Sequence, residues 1–340
     1  MNRGGWYWFL LLVLLTGCKN ICISTRVKAD VTTHTPTVGP VRPMAVERID
    51  PCTALKIAIV DIDGLLLNIN TVGPYAQGDN PVSIFRERLL TVGADPNVRA
   101  VIVRINSPGG GVTASDIMWH DLHEFRARRG IPVIACLMDV GAGGAYYVAT
   151  AADRIMAHPT TLTGGIGVIL NVYNLSDALA QQNITATPVK SGDNIDLGSP
   201  IKALDAKKRK LLQDMADEFH ARFRESVLSS RQIPADVRDQ VFDGRVFTAT
   251  QAQRLGLVDT IGYVDDAIQM ARELGGAPQA TVVLYHRDTD RPFSVYSVTP
   301  NTPATNGLFP ISIPGLERSK LPTFLYLWQP EPTLERLGGR

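Results

Sequence analysis

Three short apolar runs limit what this chain can fold into. "LKIAIVDIDGLLL" (Leu55–Leu67), "VRAVIVRIN" (Val98–Asn106) and "IPVIACL" (Ile131–Leu137) are mostly hydrophobic, broken by Lys56, Asp61 and Asp63 in the first and by Arg99, Arg104 and Asn106 in the second. Each is far shorter than the ~20 apolar residues that cross a bilayer. Runs without polar alternation fit strands covered on both faces, as in a parallel sheet between helical layers. The segments between them have helical character. In "NPVSIFRERLLTVGAD", Asn80 is placed to cap a helix and Pro81 to occupy its first position. From Ala114 to Arg128, helical spacing puts Ile117, Met118, Asp121, Leu122 and Phe125 on one face. "RIMAHP" and "ATPVKS" read as further short strands. A long helix is expected from Leu204 to about Arg231, then "ATQAQRLG" and "VDDAIQMARELGG", each closed by glycine. Strands alternating with helices predict an α/β domain over residues 55–285.

The flanks have a different texture. Arg3 precedes an apolar run from Trp6 to Leu15, which suits the core of a secretory signal over residues 1–17. Leu15-Thr16-Gly17-Cys18 matches the bacterial lipobox, so Cys18 is the expected site of lipid attachment. An uncleaved anchor helix is the plainer alternative. Both readings predict an exported protein held to a membrane of the bacterial cell envelope, facing the periplasm or the outer surface. Residues 18–54 contain Pro36, Pro40, Pro43 and Pro51 and read as a linker. Residues 286–340 read as a proline-rich tail, since eight of the chain's 22 prolines lie beyond Arg291. "FLYLWQP" (Phe324–Pro330) is an apolar island there, able to dock on the body or on a partner. Cys22 and Cys52 could pair in an oxidising compartment, and Cys136 packs most simply as a small hydrophobe. A formal net charge of +1 gives no support to nucleic-acid binding, and "KKRK" (Lys207–Lys210) reads as a solvated helix face.

Three glycine-rich turns each follow a strand: "NSPGGG" (Asn106–Gly111), "DVGAGGA" (Asp139–Ala145) and "LTGGIGV" (Leu162–Val168). None has the spacing of a dinucleotide or P-loop motif. Together they suggest a site where backbone N–H groups hold a carbonyl or an oxyanion. "INSPGGG", "AYYVATAADRIMAHPTTLTGGIGVI", the pairing of "VKSG" with "GSP", and "DGRVFTATQAQRLGLVDTIG" resemble signal peptide peptidase A, a family of membrane-associated serine proteases (peptidase family S49). The resemblance implies a crotonase/ClpP-like ββα superhelix, a Ser–Lys dyad, oligomeric assembly and cleavage of signal peptides or other short peptides. Anchored on Tyr146 and Tyr147, the family's nucleophile position falls on Gly143. Anchored on Lys190-Ser191-Gly192 and Asp196, its base position falls on Ile195. Glycine has no atom to attack with and isoleucine accepts no proton. The oxyanion or peptide-binding glycines implied are Gly109, Gly110 and Gly144.

The expectation is therefore a proteolytically silent relative that binds peptides or signal-peptide remnants. It would form homo-oligomers, or mixed oligomers that regulate an active homologue. No cofactor and no metal are expected. A working serine endopeptidase with a relocated nucleophile and base is the alternative, with Ser107, Lys190 and Ser191 as the nearby candidates. Acyl or CoA chemistry on a related fold is a third reading, which export opposes. His120 and His123 have a metal-compatible helical spacing but lack an evident third ligand, and read as surface residues. Asp61 and Asp63 could act as paired carboxylates, though a turn in which Asp caps local N–H groups is the simpler reading.

Overall fold

The computed structural model describes residues 40–50, 52–70, 80–287, 294–297 and 324–328. The central runs become strands as expected: β2 (Lys56–Asp63), β3 (Val98–Ser107) and β5 (Val133–Ala142). They form the middle of a sheet with β1 (Arg42–Glu47), β6 (Arg154–Ala157), β9 (Thr260–Ile261) and β10 (Thr281–His286). The strand order is β1-β10-β2-β3-β5-β6-β9. All neighbours along this path are parallel except β1 and β10. Beside it, β7 (Leu162–Gly164) pairs in parallel with the end of β5 and antiparallel with β8 (Val246–Thr248).

The even hydrophobicity of the central strands follows from two covered faces. Ala58, Val60 and Ile62 pack with Val101, Val103 and Ile105 toward α1 (Pro81–Ala94) and α2 (Val112–Arg129). Their alternates Ile57, Ile59, Ala100 and Ile102 pack toward Ala267, Ile268 and Ala271 of α8 (Val264–Leu274). Each of the valine and isoleucine side chains contributes ~1.5–3 kcal/mol when fully buried. Cys136 lies in the second layer as a small hydrophobe, and burial pushes its thiol up to about 12. Asn80 caps α1, its side chain accepting from the Val82 and Ser83 N–H groups. Two short helices, α3 (Gly144–Ala149) and α4 (Ser176–Gln181), precede the long α5 (Ala206–Ser230). After it come α6 (Arg238–Val241) and α7 (Ala249–Arg254).

The predicted α/β class is therefore observed. β3, β4 (Gly109–Gly111) and α2 follow one another as the strand–strand–helix unit that a ββα superhelix repeats. Four local expectations change. Arg42–Glu47, read as linker, forms β1, because the open edge of β10 offers it backbone partners. "ATPVKS" forms no strand: residues 181–189 are exposed, and Val189, its one large apolar side chain, packs against nothing among the described residues. Asp121, placed in the buried stripe of α2, lies at its margin 3.8 Å from Arg86. In the tail, Leu325–Leu327 forms β11, which pairs antiparallel with β4. The signal sequence, Cys18 and Cys22 lie outside the described residues; Cys52 is exposed.

Candidate functional site

The three glycine turns converge. β5 runs out at Ala142, and Gly143 turns the chain into α3 with φ 56° and ψ −128°, a conformation open to glycine and strained for other residues. Its N–H donates to the Gly164 carbonyl at 2.9 Å, tying the second turn to the third. The first turn comes closer still. A Cβ added to Gly109, at φ 102°, would stand 2.6 Å from the Gly144 nitrogen. One added to Gly144 would stand 2.1 Å from the hydroxyl of Ser115, which lies fully buried beneath it and donates to the Gly111 carbonyl. Gly110 is enclosed by Leu66, whose backbone brackets it through Leu66 N–H to Gly109 O and Gly111 N–H to Leu66 O.

The tail fills the cleft that these turns border. Phe324–Trp328 lies extended, with Leu325, Tyr326 and Leu327 opposite Gly111, Gly110 and Gly109. Val112 donates to the Phe324 carbonyl at 3.3 Å, and Trp328 donates to the Pro108 carbonyl at 3.0 Å. On the other side, Leu325 and Ile169 exchange both backbone hydrogen bonds at 3.0 Å. The strand is thus hydrogen-bonded along both edges. Tyr326 is fully buried, its ring 4.7 Å from Phe223 and 5.4 Å from Tyr147 between centroids. Its hydroxyl donates to the Phe219 carbonyl at 2.7 Å. Tyr147 forms a wall of the socket and is itself fixed: its hydroxyl donates to Asp116, which also accepts from Arg222. Burial first, then the bond to Asp116, pushes the Tyr147 phenol up to about 12.

Gly143 meets this strand at its backbone. A Cβ there would stand 2.5 Å from the Tyr326 carbonyl oxygen, 2.9 Å from its carbon and 3.0 Å from the Pro108 oxygen. Gly109, Gly110, Gly143 and Gly144 therefore lie together, as their turns suggested. Ile195 is not among their neighbours; it stands 70% exposed in a turn where its N–H reaches the Gly192 carbonyl at 3.5 Å.

The other reactive candidates are engaged elsewhere. Ser107 is fully buried, and its hydroxyl accepts from the Gly109 N–H at 3.1 Å. Lys190 holds both oxygens of Asp196 at 2.8 Å, and Lys208 adds a third contact at 3.0 Å. Hydrogen bonds from Lys190 and Lys208 hold the Asp196 carboxyl well below the usual range. Asp61 corrects the turn reading, since it forms a buried two-point ion pair with Arg104, its partner on β3, at 2.7 and 2.8 Å. Arg104 also donates to the carbonyls of Val295 and Ser297. Asp63 is raised by burial and then by the charge of Asp61. His123 stacks on Trp119 at 5.1 Å, and His120 is exposed. Among the described residues no three metal-ligating side chains cluster.

Sequence reasoning missed Ser115, Phe219, Phe223 and the buried seat of Tyr326 against the Phe223 ring and the Phe219 carbonyl. Small residues at the start of α2 and the aromatic island of the tail were the available signals.

In the comparison with known proteins, the family match covers the second and third glycine turns but not the first turn or the tail strand. The model of peptidase family S49 matches residues 126–277. A candidate protease of Synechocystis sp. is 33% identical over 211 residues, which are 62% of this chain and 74% of that protein. "Serine protease SPPA, chloroplastic" of Arabidopsis thaliana is 33% identical over 66% of this chain and 33% of its own length. "Protease 4" of Salmonella typhi is 31% identical over 67% of this chain and 36% of its own length. The chain thus spans about a third of these last two relatives.

Proposed function

Given that this chain belongs to peptidase family S49, we propose that it is a member in which the peptide groove persists and the cutting groups do not. On this reading it is a lipoprotein of the bacterial cell envelope, tethered through Cys18. It binds extended peptides or signal-peptide remnants, or regulates an active relative with which it assembles. Gly143 carries the reading. It stands where the resemblance puts the nucleophile, at the end of β5 and the start of α3, and it has no side chain to attack with. The nearest backbone leaves little room for one. The glycines that the resemblance assigns to holding a carbonyl, Gly109, Gly110 and Gly144, stay clustered around it, with the Gly109 N–H donated to Ser107. Ile195 at the base position supports the same conclusion, because a hydrocarbon accepts no proton.

A working peptidase is the second reading, favoured by the protease names of the relatives. It would need another nucleophile and base. Ser107 is buried against the Gly109 N–H and Lys190 is paired with Asp196, so neither is free to act as they stand.

Purified chain should neither react with a serine-directed fluorophosphonate nor hydrolyse casein or a signal-peptide library. Because Ile195 stands away from Gly143 within one chain, a lysine there would act on the serine of a neighbouring copy, and Gly143→Ser with Ile195→Lys should gain weak hydrolysis in the assembled protein where either change alone does not. The double variant is measured with and without Leu325→Pro, which loosens the tail strand. Probe labelling of the unmodified chain would favour the second reading. A preparation tagged on this chain, taken from cells that hold an active homologue at varied subunit ratio, tests the regulatory role. Absence of co-purification, or activity per active subunit that stays flat as the ratio rises, removes it.

A further inference from the structure

A strand hydrogen-bonded on both edges, with a buried aromatic anchor and a carbonyl seated against the position of a missing side chain, has the attributes of a bound peptide. The pairing of β11 with β4 on one side and Ile169 on the other gives main-chain affinity without regard to sequence. The socket around Tyr326 gives selectivity. Its walls are the rings of Tyr147 and Phe223, and its floor supplies one acceptor, the Phe219 carbonyl, for a hydroxyl. Phenylalanine there would leave that buried carbonyl without this donor, and a small residue would leave a void. Phe324 adds an edge-on contact with Phe219, 5.1 Å between centroids.

We propose that Phe324–Trp328 is a resident intramolecular ligand of this groove. Extended peptides with a tyrosine opposite Gly110 are the class that replaces it. The proposal rests on the peptide-binding reading and adds its occupant and its selectivity. Gly143 acquires a positive role here. A side chain at 143 would collide with the Tyr326 carbonyl, so the absence of a nucleophile and the seating of the tail are one structural fact. The tether has a price for outside ligands. An occupant present in about 99% of molecules weakens the apparent affinity of a competitor about 100-fold.

The test uses the full chain and a fluorescein-labelled peptide of sequence TFLYLWQ, residues 323–329 of this protein. Binding is read by anisotropy for the unmodified chain, for Tyr326→Ala and for Leu325→Pro, which removes the N–H donated to Ile169. Both variants should bind the peptide at least about tenfold more tightly than the unmodified chain, because their groove is vacated. A peptide with alanine in place of tyrosine should bind them about tenfold more weakly. A measurement on the unmodified chain guards against variants that fail to fold. Excess unlabelled peptide should raise hydrogen exchange in residues 324–328 while residues 109–111 stay protected. Equal binding by all three forms, with tail exchange unmoved by peptide, overturns the resident-ligand proposal and leaves the groove as a peptide site. Absence of binding to folded variants whose tail is released overturns the peptide-binding reading itself, and this proposal with it.

Discussion

His220 projects from α5 toward the third glycine turn, with Nε2 3.2 Å from the Ile166 carbonyl oxygen. Burial first, and then the charge of Arg224, lowers its pKa from the ordinary 6.5, against smaller raising effects from the Ile166 carbonyl and Asp217. An unfolded chain restores the ordinary value. Below pH 6.5 the unfolded state therefore binds a proton that the native state resists, and stability falls as pH falls toward the native pKa. The urea midpoint should drop across that window in the unmodified chain and drop less in His220→Gln. Equal slopes would mean that His220 is not the group responsible. Gly143 is the complementary case at this scale. Its effect comes from absent atoms, which let a carbonyl of the tail approach where a side chain would otherwise stand.

The secondary-structure elements divide by whether their causes are local. α1 begins where it does because Asn80 Oδ1 accepts from Val82 at 3.0 Å and Ser83 at 3.3 Å while Pro81 needs no partner. Asn80→Ala should cost about 1 kcal/mol and Asn80→Asp much less, as read from the urea midpoint. Equal losses would show that the cap contributes nothing. Such signals span a few residues and could be read from the chain directly, as could the two-sided burial of β2, β3 and β5. The convergence of the glycine turns was legible through three motifs occurring in order. Other pairings had no local cause. Asp61 meets Arg104 across 43 positions of sequence, and the choice between a capped turn and a buried pair depended on which strand lay beside β2. β1 reads as a linker because its partner, β10, lies at the far end of the domain. β11 is three residues long and owes its form to the groove that receives it.

At the scale of the whole molecule, the proposed attachment to a membrane rests on the N-terminal segment that ends at Cys18. Among the described residues no helix is long and apolar enough to cross a membrane. Cys18 is the expected acceptor for diacylglycerol, so Cys18→Ala should abolish incorporation of labelled palmitate and block maturation. Unchanged labelling would sink the lipoprotein assignment. Two acyl chains on one cysteine suffice for durable anchoring, whereas one would not.

The borders of the large sheet restrict how copies of this protein could meet. At one border β1 carries Pro43, which has no N–H to offer, and its register shifts between Ala45 and Glu47. At the far end of the path β9 is two residues long, and on the side branch the outer strand β8 is three residues long. None of the three is a good template for a strand from another molecule. The strand-accepting cleft beside β4 is already filled by β11. A chain built this way resists ribbon-like growth through its backbone. It leaves self-association to side-chain surfaces, and Tyr173, Ile184, Val189 and Ile195 are apolar side chains exposed one by one within residues 173–195.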